Sequence, residues 1–85
     1  GTPEGLHAFV RATRWQRVTG EPQDEDIVTM ESFIGKHVGV ALRTDEGIGL
    51  LHAVGTDNRG SVVWQPLNTL VGYRNLEAWR SPCKL

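Results

Sequence analysis

His37 and His52 are the residues of this chain best suited to do chemistry together. Each lies in a stretch where polar and apolar residues alternate, His37 opening one run and His52 closing the next, with turn residues between them. A hairpin loop at 44–45 or 43–46 pairs positions whose numbers sum to 89, which sets His37 directly opposite His52. Opposed residues on one sheet face hold their β-carbons about 4.5–5.5 Å apart, close enough for two imidazoles to share a hydrogen bond. Such a bond fixes a tautomer, the way a base is oriented by a third group in nucleophilic hydrolases. Gly39 is expected on the same face and carries no side chain, leaving room for another element or a ligand. The competing reading makes both histidines half-exposed strand residues that meet by chance. No metal site is expected from the pair, because neither histidine has a carboxylate or cysteine two residues away on its own strand.

The elements that must hold these histidines follow from the pattern around them. Residues 2–16 are expected to be helical: Thr2 suits the N-cap, Pro3 the first position and Glu4 the first turn. Leu6, Phe9, Val10 and Thr13 fall on one face of that helix, and His7 is expected at its surface or boundary. Gly20-Glu21-Pro22 ends it, and the acidic stretch up to Asp26 reads as a solvated loop. From residue 26 the period falls to two, with strands expected at 26–31, 37–43, 48–54, 61–65 and 76–80. Turns are expected at Gly35, at Thr44–Gly47 and at Gly55–Gly60, and Leu67, Leu70 and Val71 suit a single helical turn. A helix followed by an antiparallel meander of about five strands is an α+β layout in one domain spanning 1–85. Trp15, Trp64 and Trp79 are expected to pack in or around its core, with Trp64 also a candidate for ligand contact beside the polar loop.

Composition narrows the function classes. Nine Lys and Arg against ten Asp and Glu give a net charge of -1, without the excess of positive charge that a nucleic-acid binder carries. No apolar run approaches the roughly 20 residues that cross a bilayer, and no signal-peptide core is present in the sequence given. The single Cys83 excludes an intrachain disulfide. Gly at position 1 suggests a trimmed or excised piece. Bare strand edges in so small a sheet make a homodimer an expectation.

These strands resemble a known family. Asp26-Ile27-Val28-Thr29-Met30, His37-Val38-Gly39-Val40-Ala41-Leu42 and Gly49-Leu50-Leu51-His52-Ala53 look like the C-terminal half of the NlpC/P60 cysteine peptidases, a papain-like superfamily. Gly60-Ser61-Val62-Val63-Trp64 and Leu76-Glu77-Ala78-Trp79-Arg80 are similar to that family's last strands, in the branch found in phage tail-tip proteins. The resemblance spans about residues 15–80, and its most specific part is the two histidine strands. It implies half of a papain-like fold, with His37 as general base and His52 as the residue that orients it. It also implies cell-wall peptides or phage structural proteins as partners, no cofactor, and a setting in the bacterial cytoplasm or a phage particle.

Three departures bear on activity. The family carries Gly where this chain has Glu25, and the stretch from His37 to His52 is a few residues longer than the family's. The third is decisive for catalysis. The family's nucleophilic Cys opens a helix upstream of the sheet, and here the helix begins Thr2-Pro3-Glu4 with no cysteine before the strands. A circularly permuted branch, resembling lecithin–retinol acyltransferase, places its Cys after the histidines. That Cys leads into a helix, whereas only two residues follow Cys83, so Cys83 is not taken as the nucleophile. The chain as given is expected to be an inactive relative of cell-wall peptidases. Two alternatives stand beside that expectation: a catalytic half whose nucleophile lies upstream, and an unrelated small β-rich binding module, oligomeric, with incidental histidines.

Overall fold

The computed structural model describes residues 2–54 and 60–84. Its first element is α1, Pro3–Ala12, whose start follows the expected chemistry: Thr2 Oγ1 accepts the Gly5 N–H at 3.1 Å. The helix stops four residues short of the expected end. Thr13 leaves the helical region, and Gln16–Val18 becomes a short strand, β1, by pairing with the last strand of the sheet. The apolar spacing that Trp15 and Val18 continue is thus overridden by a tertiary pairing.

Five further strands complete an antiparallel sheet: β2 Ile27–Ser32, β3 Gly35–Thr44, β4 Gly47–Val54, β5 Ser61–Pro66 and β6 Arg74–Arg80. Their order is β1-β6-β2-β3-β4-β5, so the fold is α+β with six strands in place of about five. Only β2 to β5 form a meander; β6 crosses back to insert between β1 and β2. A 3-10 turn at Leu67–Thr69 stands where the helical turn is expected and carries the chain across. Residues 55–59 of the expected Gly55–Gly60 loop lie outside the described residues.

Alternation divides the side chains of the sheet into two faces. One face holds the core of Val28, Met30, Ala41, Leu50 and Ala78, flanked by Val18, Ile48, Leu67, Leu70 and Tyr73. Both expected histidines belong to this face, since His37 pairs with Met30 and His52 lies two residues beyond Leu50. On the other face Trp79 Nε1–H donates to Thr29 Oγ1 at 3.0 Å. Arg11 of α1 reaches this face, its guanidinium 5.3 Å from the Trp79 ring and paired, like that of Arg17, with Glu77.

The acidic stretch before β2 is not wholly solvated, as its composition suggests. Asp26 is 1% exposed and takes Arg80 in a two-pronged pair, at 3.0 Å from Nε and 2.9 Å from Nη2. Its Oδ2 also accepts the Gln23 N–H at 2.8 Å, and Asp24 Oδ1 accepts the Arg43 N–H at 2.7 Å. A carboxylate this deeply buried requires such partners. The partner stands 54 residues away in the chain, out of reach of any local reading. Between these acids Glu25 adopts φ +72°, a left-handed conformation that favours glycine.

Candidate functional site

The β3–β4 hairpin brings the two imidazoles together, in a register different from the expected one. Its loop is Asp45-Glu46, with Thr44 opposite Gly47, so paired numbers sum to 91, and Gly39, not His37, faces His52. Gly47, the first residue after the loop, has φ +107°, a conformation that glycine adopts without strain. The slip is two residues, one full side-chain period, so both histidines keep the same face. They meet on the diagonal, His37 Nε2 to His52 Nδ1 at 2.9 Å, with ring planes at 82° and centroids 5.1 Å apart.

The space above Gly39 is filled from within the chain. A β-carbon built on Gly39 would stand 2.6 Å from Leu50 Cγ, so this glycine admits a neighbouring core side chain and not a ligand.

Two residues that local patterning does not single out complete the constellation. His52 Nε2 lies 2.7 Å from Gln65 Oε1, and Gln65 Nε2 lies 2.8 Å from the Thr69 carbonyl oxygen. Tyr73 stacks on His37 with centroids 5.1 Å apart and planes at 23°, and meets His52 edge-on. Gln65 reaches the site because β5 pairs Val63 with His52 and Leu50 with Gln65. The available signal is one polar side chain in an otherwise apolar strand end, just before Pro66.

Hydrogen-bond polarity along this chain is set from its far end. The Thr69 carbonyl can only accept, so Gln65 presents its amide N–H₂ there and turns Oε1 toward His52. Oε1 can only accept, so His52 carries its proton on Nε2 and offers a lone pair at Nδ1. His37 therefore donates from Nε2, and in its neutral form its Nδ1 is a bare acceptor. That nitrogen has no partner among the described residues, and no buried side-chain nitrogen or oxygen among them lacks one, so Nδ1 is open to solvent. Burial lowers the pKa of His37, and the neighbouring His52 lowers it further, which keeps the acceptor form populated near neutral pH.

His37 also lines a cavity of about 470 Å³ at the end of the sheet, together with Pro3, Lys36 and Tyr73. The third histidine is not at the surface: His7 is 6% exposed and sets its Nε2 3.0 Å from the His37 carbonyl oxygen, tying α1 to β3 at the site. Thr2, the residue closest in sequence to a nucleophile's place, has its hydroxyl engaged as the helix cap. Cys83 is exposed in a 3-10 turn after β6, past the strand end that pairs with Gln16 and Ile27, whereas His37 pairs with Met30. Trp64 donates Nε1–H to the Leu42 carbonyl at 3.0 Å, and its ring covers Gly49. Among the described residues no three His, Cys, Asp or Glu side chains group as metal ligands. No helix among them is long and apolar enough to cross a membrane. Comparisons with family models, curated proteins and solved structures found no match for the chain.

Proposed function

We propose that this chain is a peptidase-like domain of the NlpC/P60 kind, bacterial or phage in origin, that binds cell-wall peptides without hydrolysing them. The observation that carries the reading is the relay Thr69 O–Gln65–His52–His37, which ends in an unpartnered nitrogen of a residue that lines a cavity. In such a relay His37 is the base and His52 its orienting partner, with Gln65 holding the orienting ring in one tautomer.

Two further features support the kinship. Glu25, where the family carries Gly, sits at φ +72°, so the backbone keeps the conformation that a glycine serves best. Pro3, in the first turn of α1, lines the same cavity as His37. A thiol at such a position is what the base would activate. Proline there has no hydroxyl or thiol to give up, and the hydroxyl of Thr2 beside it is engaged as the helix cap, which is why the domain is read as a binder.

The test is incubation of the purified chain with muropeptides, followed by mass spectrometry for released stem peptides and NMR titration for binding. Binding without release is expected, with the shifts centred on His37 and Tyr73. Stem-peptide release abolished by Cys83→Ala would overturn the non-hydrolytic reading in favour of the permuted arrangement. A folded chain that neither binds nor cleaves would leave the β-rich interaction module.

A further inference from the structure

β5 is the last strand of the sheet, and among the described residues it pairs only with β4. The register fixes which of its backbone groups face outward. The loop Asp45-Glu46 is closed by Thr44 and Gly47 as a hydrogen-bonded pair. Bonded and non-bonded pairs alternate along an antiparallel ladder, so Leu42 with Gly49 and Val40 with Leu51 are bonded too. Gly49 and Leu51 therefore spend their N–H and C=O on β3. Those of Leu50 and His52 are left for Gln65 and Val63 of β5. Pro66 agrees with this phase, because it falls opposite Gly49 in a non-bonded pair, where its missing N–H costs nothing. The residues of β5 between them, Val62 and Trp64, thus point N–H and C=O away from β4.

An edge of this kind invites another strand unless it is kept short or carries charge. The opposite edge does both, since β1 has three residues with Arg17 at its centre. β5 has six residues, none of them charged, and Val62 is 65% exposed. Val62 and Trp64 lie on the Trp79 face of the sheet, opposite Ala53 and Leu51, and Ala53 is exposed as well. Phe33, Ile34 and Val71 are more exposed than Val62, but they stand in turns, which offer a partner no ladder.

We propose that two copies of this chain join through β5, antiparallel about a two-fold axis at Val63, into one continuous sheet. The edge is complementary to itself. With paired numbers summing to 126, Val62 of each copy faces Trp64 of the other, and every outward N–H and C=O of both residues is bonded. Sliding to 128 sets Pro66 opposite Val62 and loses a donor, and sliding to 124 sets Trp64 opposite Gly60, outside the strand. The favoured register also places a β-branched side chain beside an aromatic one at each end of the contact. A second copy meets these demands by symmetry, and a net charge of -1 sets little repulsion against it. His37 lies on β3, two strands from the contact, so the dimer and the peptide-binding role stand or fall separately.

The experiment is sedimentation velocity of the folded chain from about 5 to 500 µM. A contact of one edge is small, so a monomer–dimer equilibrium with a dissociation constant on the order of 10–100 µM is expected. Val62→Lys sets two like charges about 7–8 Å apart on one face, across the axis, and should weaken the dimer at least about tenfold. Val62→Glu should do the same, and an equimolar mixture of the two variants should recover association. Circular dichroism and thermal melts establish that each variant is folded. The register is read by cross-linking in a Cys83→Ala background with oxidised glutathione. Val63→Cys should give a disulfide-linked dimer, because opposed non-bonded residues hold their Cα atoms about 4.5 Å apart. Val62→Cys should not, its two copies lying on a diagonal of about 7–8 Å. A folded chain that stays monomeric at about 500 µM would overturn the proposal and leave the edge to a strand from another protein. A dimer that survives Val62→Lys and does not cross-link at Val63 would overturn it as well.

Discussion

Replacing Gln65 with methionine tests the relay at the point that sets its direction. The substitution keeps the length of the side chain and removes Oε1, leaving the His52 Nε2–H without its acceptor in a residue 3% exposed. An orphaned buried donor costs about 1–3 kcal/mol. Taking about 2 kcal/mol, a domain of this size should lose about 8–16 °C of thermal midpoint. The second consequence is specific to the proposed function. With Oε1 gone, His52 can move its proton to Nδ1 and donate toward His37 Nε2, which reverses the relay and puts the His37 proton on Nδ1. The assay is denaturant unfolding together with long-range proton–nitrogen spectra of the imidazoles. The wild-type chain should show both rings protonated at Nε2, and Gln65→Met should show a protonated Nδ1 on both. Gln65→Glu, which keeps an acceptor, should retain the wild-type pattern. A Gln65→Met chain with unchanged tautomers and stability within about 0.5 kcal/mol of wild type would refute the reasoning.

Three other outcomes are expected. Glu25→Gly should stabilise the chain by about 0.5–1 kcal/mol in urea unfolding, because release of left-handed strain worth about 1–2 kcal/mol outweighs the extra entropy of an unfolded glycine; a loss of stability would count against the strain. Gly39→Ala should destabilise by about 1–3 kcal/mol, since its β-carbon would lie 2.6–3.0 Å from Cγ and both methyls of Leu50, itself fully buried; an unshifted melting curve would show that Leu50 can move aside. Burial, reinforced by His52, lowers the pKa of His37, so between that lowered value and about 6.5 the unfolded chain binds more protons than the folded one. Stability should therefore rise with pH through that window and fall as the solution is acidified, and comparison of urea midpoints for wild type and His37→Gln should show the slope reduced in the variant.

How far the site could be read in advance depends on which contacts are local. Alternation alone sets both histidines on one face, and a register slip of a whole period of two leaves that face unchanged. The turn residues Thr44 to Gly47 allow several loop positions, and the observed pairing of Thr44 with Gly47 leaves Asp45-Glu46 as the loop. Gln65 and Tyr73 are a different case. Each reaches the imidazoles through strand pairing or the crossing after β5, so nothing near them in sequence marks them as partners. The pair Asp26–Arg80 escapes for the same reason, and so does β1, whose three residues are a strand only because β6 returns beside them. Gly39 illustrates the opposite difficulty. Its lack of a side chain is plain in the sequence, but the identity of what fills the space is a packing fact.

The relay's geometry separates a functional reading from a merely structural one. A polar cluster that serves only to satisfy buried groups closes on itself, each donor meeting an acceptor inside the core. Here the series begins at a backbone carbonyl, passes through Gln65 and the buried His52, and ends at a half-buried ring of a residue that lines a cavity. Apolar side chains of the same size at 52 and 65 would fill that volume without the cost of desolvating two polar groups. What the polar chain supplies, and an apolar one cannot, is a defined tautomer at its open end. Tyr73 limits the rotation of that ring by stacking on it, and His7 anchors the strand beneath it through the His37 carbonyl. An acceptor held in position, polarity and protonation state, beside apolar side chains left in water, is the arrangement on which the proposed binding role rests.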